Sequence, residues 1–430
     1  MQNSPKEGLV RGIRRWDLVA ITINGIIGAG IFGLPAKVYA LIGTYSLLAF
    51  VACAAVVILI ILCFAEVGSR FETTGGPYLY ARAAFGRTVA FEIGWLVWLA
   101  RLTAFGANCN LLVNYLTYFW SSANQPAFRA AIIVTVVAVL TVVNLVGIRQ
   151  AAIVSNIFTV GKLIPMLIFI AVGLFFLNPG AFEFGPAPGN GAFSQSVLLL
   201  VYAFTGFEMA TIPAGEVKNP QKNLPYALLI AIAVVGFFYI LIQIVCVGTL
   251  PELAQSQKPL ADAGVRFLGV LGGTIISAGA IISITGNLNI LMLSGSRVPF
   301  AMAEQKQLPS VIGRVHPSFS TPYIAIVITA ILMLILTLSS SFVQALTIST
   351  IARLVTYGAT CLALPLLRRR SGNSPAIFNL PLGNVIAGLS LLLIVWLLAH
   401  STLQEAKAAT IAAAVGLLIF FSYRAYSSRA

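Results

Sequence analysis

Long runs of hydrophobic residues, separated by short polar and basic stretches, make up most of the chain. A membrane-spanning helix needs about 20 mainly apolar residues, and the runs match that length. The pattern therefore predicts an all-α membrane protein with twelve spans. The predicted spans are 18–40, 43–69, 88–119, 127–148, 153–177, 193–215, 225–249, 268–298, 322–340, 342–367, 377–399 and 407–425.

The first span is interrupted at residues 24–35, NGIIGAGIFGLP, where four glycines and a proline break the helical pattern. Backbone groups left unpaired in lipid cost several kcal/mol each, so such a break persists only beside a polar cavity inside the protein. The free N–H groups and positive end of a broken helix can hold a carboxylate, and its free carbonyls can hold an ammonium. An amino acid carries both groups. The alternative interpretation is a small-residue face for tight helix packing.

The sixth span repeats this irregularity in residues 202–213, YAFTGFEMATIP. Gly206 follows Thr205, Glu208 lies at membrane depth, and Pro213 comes shortly after. Two interrupted spans that are five helices apart indicate an inverted repeat, with the substrate site where the repeats meet.

Composition and charge agree with a membrane protein. The 430 residues are 59% hydrophobic and 9% charged, whereas soluble domains carry about 25% charged residues. With twelve spans, eighteen basic residues share the side of both termini and five lie opposite, so the positive-inside rule predicts cytoplasmic termini. The net charge of +14 then reflects basic loops beside anionic lipid rather than a nucleic acid partner. The first residues show no cleavable signal peptide, so we expect none.

A Gly-Gly-Pro turn follows the second span, within residues 71–80, FETTGGPYLY. Such a turn is structured rather than flexible. We expect a re-entrant or amphipathic segment here that forms part of an inner gate; the alternative is an ordinary loop.

Five motifs in order resemble the amino acid–polyamine–organocation (APC) transporters over most of the first ten spans. They are 28–32 (GAGIF), 72–80 (ETTGGPYLY), 204–208 (FTGFE), 216–225 (EVKNPQKNLP) and 296–309 (SRVPFAMAEQKQLP). The resemblance implies a LeuT-like fold of five plus five inverted helices in a single domain. The repeats would cover about 16–177 and 193–367, with two additional C-terminal helices at about 377–425.

The resemblance also implies a substrate site at the two breaks. Backbone N–H groups of Ala29, Gly30 and Ile31 would hold the carboxylate, and carbonyls of Ile26, Tyr202 and Thr205 would hold the ammonium. Tyr202 would also cover the substrate as a lid, and Phe32 would form part of the floor. The full set of predicted substrate-binding residues is Ile26, Gly28, Ala29, Gly30, Ile31, Phe32, Arg101, Phe105, Tyr202, Phe204, Thr205 and Gly206.

Two residues of this set carry specific expectations. Ala29 stands where the family often has serine, so one hydroxyl contact to the substrate is absent. Gly30 is expected to approach the substrate so closely that Gly30→Val abolishes binding while leaving thermal unfolding nearly unchanged.

Charged residues at membrane depth are costly and mark functional positions. By resemblance, some proton-coupled relatives have a lysine at the position of Lys162, where sodium-coupled relatives of the same fold bind Na⁺. A lysine buried this way can exchange its proton near neutral pH. Ser283 is its hydrogen-bond partner by resemblance. Lys162 lies roughly 15 Å from the cytoplasmic end of its span, too deep for easy snorkelling.

Glu208, Arg101 and Arg353 are the other charges at this depth. Glu208 would couple its protonation to gating, by resemblance, or serve as the structural partner of one arginine. Arg101 stands where relatives often have a small or neutral residue beside the substrate side chain, and Arg353 would belong to the outer gate. Together with Lys162 these arginines outnumber the one buried carboxylate. Either the substrate supplies negative charge or Lys162 is neutral during part of the cycle.

The sequence thus predicts a secondary active amino acid transporter of a bacterial-type inner membrane. It would work by alternating access, coupled to protons or to substrate exchange, as a monomer or homodimer without a cofactor or metal. The alternatives are a transporter of acidic amino acids or other organic anions that uses Arg101, and a polyamine or amine permease. An enzyme is disfavoured because His316 and His400, the only histidines, lie far apart near span ends. A sensor on this fold would show a degraded first-span motif, which is intact here.

Overall fold

The structure is a computed structural model that describes residues 11–146, 148–340, 342–369, 376–401 and 403–427. These ranges form fourteen α-helices and contain no β-strand, which confirms the all-α class. Helices α1 to α14 are, in order, Arg15–Ile26, Ala29–Ile42, Ser46–Gly68, Pro77–Phe85, Arg87–Leu116, Pro126–Val146, Ile148–Gly173, Asn190–Phe204, Pro220–Thr249, Pro259–Glu304, Tyr323–Ser339, Phe342–Arg369, Gly383–Ala399 and Leu403–Ser427.

The helices have the length and surface of a membrane bundle. Within the described ranges, seven helical stretches are long and apolar enough to cross a membrane, and four shorter apolar helices accompany them. Large apolar side chains point outward, among them Val142, Phe237 and Leu392, which are 59%, 63% and 70% exposed. The helices fall on the predicted hydrophobic runs, whereas the number of spans and the inverted repeat remain predictions.

The interruption predicted in the first span lies between α1 and α2. Helix α1 ends at Ile26, and the backbone leaves the helical region at Ile27 (ψ 90°) and Gly28 (φ −121°, ψ −142°) before α2 begins at Ala29. All of these residues are buried. A pair of helix ends, one presenting carbonyls and the other N–H groups, therefore lies inside the bundle.

The second interruption follows α8. The helix ends at Phe204, Thr205 is extended, and Gly206 has a left-handed backbone with φ +110°, a conformation that favours glycine. A Cβ built on Gly206 would lie 2.2 Å from the carbonyl oxygen of Gly25 in α1. The two interrupted spans thus meet backbone to backbone, and only glycine fits at the contact.

The segment after α3 is not an ordinary loop. Gly75 and Gly76 have positive φ angles of 140° and 51°, and they lead into the short helix α4. The N–H of Gly75 donates a hydrogen bond to the carbonyl of Ile212 at 2.8 Å, beyond the second interruption. Residues Tyr78 and Tyr80 of α4 are buried. Its role as a gate remains a prediction.

Helix α10 is longer than predicted, because it begins at Pro259 rather than at residue 268. The polar residues Asp262 and Arg266 resemble a loop in the sequence, but they lie on a helical segment that precedes a kink at Gly269 (φ +61°). Helix α5 packs against both α10 and α12, so these three helices surround the site described below.

One buried carboxylate joins three segments at one end of the bundle. Glu66 of α3 accepts hydrogen bonds from Arg368 Nε of α12 at 2.7 Å, from Arg70 at 3.1 Å and from the N–H of Leu380 at 3.0 Å. These arginines belong to the predicted cytoplasmic side, of which Lys6, Arg370 and Arg429 lie outside the described residues.

Candidate functional site

A small cavity lined by buried residues lies where the two interruptions meet. The space open to the centre of a water molecule is about 10 Å³, enough for about one water. An amino acid does not fit without movement, so the site is shut in this conformation. The cavity is lined by Gly25, Ile26, Gly28, Ala29, Gly30, Ala104, Asn108, Tyr202, Thr205, Met209, Asn287 and Arg353.

Half of the predicted substrate-binding residues line this cavity and half do not. Those that line it are Ile26, Gly28, Ala29, Gly30, Tyr202 and Thr205. The others lie outside the lining and are buried in packing or polar contacts: Ile31, Phe32, Arg101, Phe105, Phe204 and Gly206. Phe32 packs edge-on against Tyr115, and Phe204 packs edge-on against Tyr239, so both rings are committed to the core.

The sequence interpretation missed two asparagines that line the cavity. Asn108 of α5 is 2% exposed and Asn287 of α10 is 3% exposed. The available signal was a carboxamide within an apolar helix, which is costly unless its polar atoms are bonded. Asparagine carries no charge, and for that reason it did not stand out beside the buried arginines and the lysine.

Side chains satisfy the carbonyls at the end of α1. Asn287 Nδ2 donates to the carbonyls of Asn24 and Gly25 at 3.0 and 2.7 Å. The hydroxyl of Tyr239 donates to the carbonyl of Ile26 at 3.2 Å. The Ile26 carbonyl, one of the predicted ammonium ligands, is therefore already bonded in the shut state.

Lys162 of α7 also binds this helix end. Its Nζ lies 2.5 Å from the carbonyl oxygen of Ile27 and 3.3 Å from that of Asn24, and the side chain is fully buried. A snorkelling lysine would reach the surface, so that alternative is wrong. Ser283, predicted to bond Lys162 directly, instead donates to the same Ile27 carbonyl at 3.3 Å.

Asn108 of α5 forms a hydrogen bond with the N-terminal end of α2. Its Oδ1 accepts the N–H of Ala29 at 3.0 Å, which is one of the donors predicted for the substrate carboxylate. Its Nδ2 donates to the Ala104 carbonyl and to the hydroxyl of Tyr202, both at 2.9 Å. The predicted lid residue Tyr202 is thereby tied to the start of α2.

Glu208 is the centre of a buried charge cluster just beyond the second interruption. Its Oε1 lies 2.8 Å from Arg101 Nη1 and 3.2 Å from Arg353 Nη1. Its Oε2 accepts hydrogen bonds from the Tyr357 hydroxyl at 2.6 Å and from the Gly206 N–H at 2.9 Å. The carboxylate is thus the partner of both arginines, and the coupling of its protonation to gating remains a prediction.

The two arginines differ in their relation to the cavity. Arg353 lines it, although the sequence placed this residue at an outer gate. Arg101 lies at the middle of α5, outside the lining, and its Nε and Nη2 form no hydrogen bond with the described residues. Because Glu208 is shared, the cluster keeps one net positive charge.

A family model described as amino acid permease matches residues 13–421. The chain belongs to the amino acid permease family. The permease is accordingly a multi-pass membrane protein of the APC superfamily, whose matched family and relatives are transporters rather than enzymes.

Three relatives of this permease are named for different substrates. The serine/threonine exchanger SteT of Bacillus subtilis is 31% identical over 387 residues, 87% of each chain. The branched-chain amino acid permease BcaP of the same organism is 26% identical, over 98% of this chain and 94% of the relative. A methylthioribose transporter, also from B. subtilis, is 27% identical, over 98% of this chain and 95% of the relative.

Gly30 of the permease lies in a close helix contact, as in the alternative interpretation of residues 24–35 as a small-residue packing face. A Cβ at this position would lie 2.5 Å from Ala203 Cα of α8 and 2.8 Å from Ala203 Cβ. Gly30→Val would therefore force α2 away from α8. We therefore revise the expectation of nearly unchanged unfolding and expect Gly30→Val to be destabilised, since overpacking costs about 1–3 kcal/mol.

Proposed function

We propose that this permease is a secondary active transporter of small and medium neutral amino acids. The transport cycle is alternating access about the two interrupted spans, driven by protons or by exchange. The carboxylate is held by N–H groups at the start of α2, and the ammonium is held by carbonyls of the two interruptions. The substrate site is thus made mainly of backbone, which suits a group common to all amino acids.

One observation carries this proposal: a single cavity is bordered by both kinds of helix end. Ile26 closes α1 and Ala29 opens α2, and both line it together with Thr205 of the second interruption. The helix dipoles favour a negative group at the α2 start and a positive group at the α1 end. A zwitterion matches this arrangement, whereas an amine without a carboxylate matches half of it.

The proposal extends to the membrane arrangement. We infer twelve spans, built as five plus five inverted helices and two additional helices, with both termini in the cytoplasm. The protein would reside in a bacterial-type inner membrane as a monomer or homodimer. The motifs and the basic residue asymmetry support this arrangement.

The preference for neutral side chains rests on the Arg101–Glu208 ion pair. A free guanidinium would favour a second carboxylate on the substrate, because its donors match a carboxylate fork. Arg101 is instead paired at 2.8 Å and lies outside the cavity lining. Relatives named for serine/threonine exchange and for branched-chain amino acids agree with a neutral substrate.

Proteoliposomes that contain an unlabelled neutral amino acid should take up radiolabelled serine, threonine, valine or isoleucine from outside. Unlabelled glutamate or aspartate at the same concentration should leave that uptake unchanged. The measurement is initial uptake rate with and without each competitor. Glutamate that displaces the neutral substrate, with Arg101→Ala erasing this displacement, would reverse the assignment in favour of acidic substrates.

Lys162→Ala should remove the pH dependence of uptake or remove uptake altogether. The ammonium binds the Asn24 and Ile27 carbonyls at the end of α1, so its loss changes the geometry of the site. Uptake is measured in liposomes between pH 5.5 and 8.5, with and without sodium. We expect no stimulation by sodium in the unmodified protein.

Lys258→Ala is the matched control, because Lys258 lies in a loop against the ring of Tyr118. This variant should keep the original pH profile. A strict sodium requirement, or an unchanged pH profile in Lys162→Ala, would contradict the coupling role.

A further inference from the structure

The two ends of the interrupted first span are each bonded by a carboxamide. Asn108 Oδ1 accepts the Ala29 N–H at the start of α2, and Asn287 Nδ2 donates to two carbonyls at the end of α1. An acceptor oxygen thus stands at the expected position of the substrate carboxylate, and donor N–H groups stand at the expected position of its ammonium.

The partners fix the orientation of both carboxamides. The Ala29 N–H can only donate and the Ala104 carbonyl can only accept, so Oδ1 of Asn108 must face α2. The Asn24 and Gly25 carbonyls likewise require Nδ2 of Asn287. The two side chains meet over Gly28, where a Cβ would lie 3.0 Å from Asn108 Oδ1 and 2.8 Å from Asn287 Oδ1.

We propose that Asn108 is an internal ligand of the Ala29 N–H in the substrate-free permease, and that a substrate carboxylate must displace it in order to bind. The inference rests on the proposed function, because it requires a substrate with a carboxylate. Its basis is the geometry of the shut cavity, which has room for about one water while Asn108 occupies the donor.

Relative hydrogen-bond strength makes the exchange favourable. A hydrogen bond from an N–H to a carboxylate is roughly twice as strong as one to a neutral carboxamide. The substrate carboxylate therefore displaces Asn108 from the Ala29 N–H. The apparent affinity for the substrate is lowered, because the Asn108 hydrogen bond must be broken first. The net free energy of one such hydrogen bond corresponds to about a three- to tenfold change in affinity.

Displacement also releases the lid. Asn108 holds the Tyr202 hydroxyl through Nδ2 at 2.9 Å, so rotation of the carboxamide away from Ala29 breaks this bond as well. Occupancy of the carboxylate position is thereby coupled to the position of Tyr202 in α8. Asn108 is in this sense a positioning residue for both interrupted spans.

Two variants at this position should change affinity in opposite directions. Asn108→Ala removes the competitor and should tighten binding of radiolabelled L-serine and L-isoleucine about three- to tenfold. Asn108→Asp is nearly isosteric but places a fixed carboxylate on the Ala29 N–H, and it should weaken binding more than about tenfold. Both are measured by equilibrium binding to the purified full-length protein.

Asn110→Ala is the matched control. Asn110 is also buried in α5, but it bonds the Ser340 carbonyl and Arg129 rather than α2. Its replacement should change the dissociation constants less than about twofold. Hydrogen exchange of the substrate-free protein gives a second readout: the peptide containing the Ala29 N–H should exchange faster in Asn108→Ala than in the unmodified protein.

The outcomes separate the inference from the proposed function. If Asn108→Ala weakens binding or leaves it unchanged, or if exchange at Ala29 does not increase, Asn108 is not an internal competitor and the inference is overturned. If Asn108→Ala does not fold, Asn108→Asp decides, since binding as tight as in the unmodified protein overturns the inference. If neither the unmodified protein nor any variant binds a neutral amino acid, the proposed function fails and the inference fails with it.

Discussion

Glu208→Gln should be among the most damaging single substitutions in this permease. It leaves the guanidinium groups of Arg101 and Arg353, which are 1% and 3% exposed, without a buried counter-charge. Removing one partner of a buried ion pair typically costs about 3–5 kcal/mol, and here two cations lose the same partner. A glutamine whose oxygen accepts hydrogen bonds from Tyr357 and the Gly206 N–H would turn its NH2 group toward the two guanidinium groups, so the variant removes their acceptor as well as the charge.

We expect Glu208→Gln to lower the folded yield and the thermal unfolding temperature strongly and to abolish uptake. Unfolding is followed by size-exclusion chromatography after heating, and uptake is measured in liposomes. Adding Arg101→Met to Glu208→Gln should recover part of the stability, because one of the two unpaired cations is removed.

The control is Glu252→Gln, which breaks an ion pair with Arg266 whose side chains are 58% and 51% exposed. Exposed pairs contribute about 0–1 kcal/mol, so this variant should behave like the unmodified protein. A Glu208→Gln protein that unfolds at the original temperature and still transports would refute a structural role for the carboxylate.

Gly206→Ala should be the second most damaging change. The new Cβ would lie 2.2 Å from the Gly25 carbonyl oxygen, a backbone atom that cannot rotate away. The φ of +110° adds strain of about 1–3 kcal/mol for a residue other than glycine. The two interrupted spans would be forced apart at their contact, so we expect loss of uptake together with destabilisation.

A graded series of glycine variants tests this explanation. In Gly25→Ala the Cβ would lie 3.0 Å from the Gly206 carbonyl oxygen, so its effect should be intermediate. In Gly236→Ala, in α9, the Cβ meets open space, and stability should be unchanged or slightly higher. Uptake and unfolding temperature are compared across the three variants. Equal effects of Gly206→Ala and Gly236→Ala would show that the contact is unimportant.

The interruptions could be predicted from the sequence because they depend on local backbone chemistry. Four glycines and a proline within residues 24–35 indicated a break, but the break itself covers only Ile27 and Gly28, and Gly30, Gly33 and Pro35 lie inside α2. Likewise, Thr205-Gly206 with a nearby glutamate indicated a break. The all-α class followed from the length and spacing of the hydrophobic runs.

The partners around the interruptions could not be predicted in the same way. Which side of α2 faces α8, and hence that Gly30 meets Ala203, depends on how two helices are rotated against each other. Arg353 was assigned to a gate rather than to the cavity, because the sequence does not show how α12 is rotated relative to α5 and α8. Asn108 and Asn287 acquire their significance only through distances of 3.0 Å or less to α1 and α2.

The net charge of the Glu208 cluster has a consequence for the electrical behaviour of transport. Two guanidinium groups and one carboxylate leave this cluster with one positive charge, just beyond the end of α8. A charge that crosses the whole membrane potential gains or loses about 2.3 kcal/mol per 100 mV, and a partial displacement gains a proportional share. A zwitterionic substrate carries no net charge through the field. A voltage-dependent step during its transport would therefore report movement of this cluster, of the Lys162 ammonium or of a coupled proton, and not movement of the substrate.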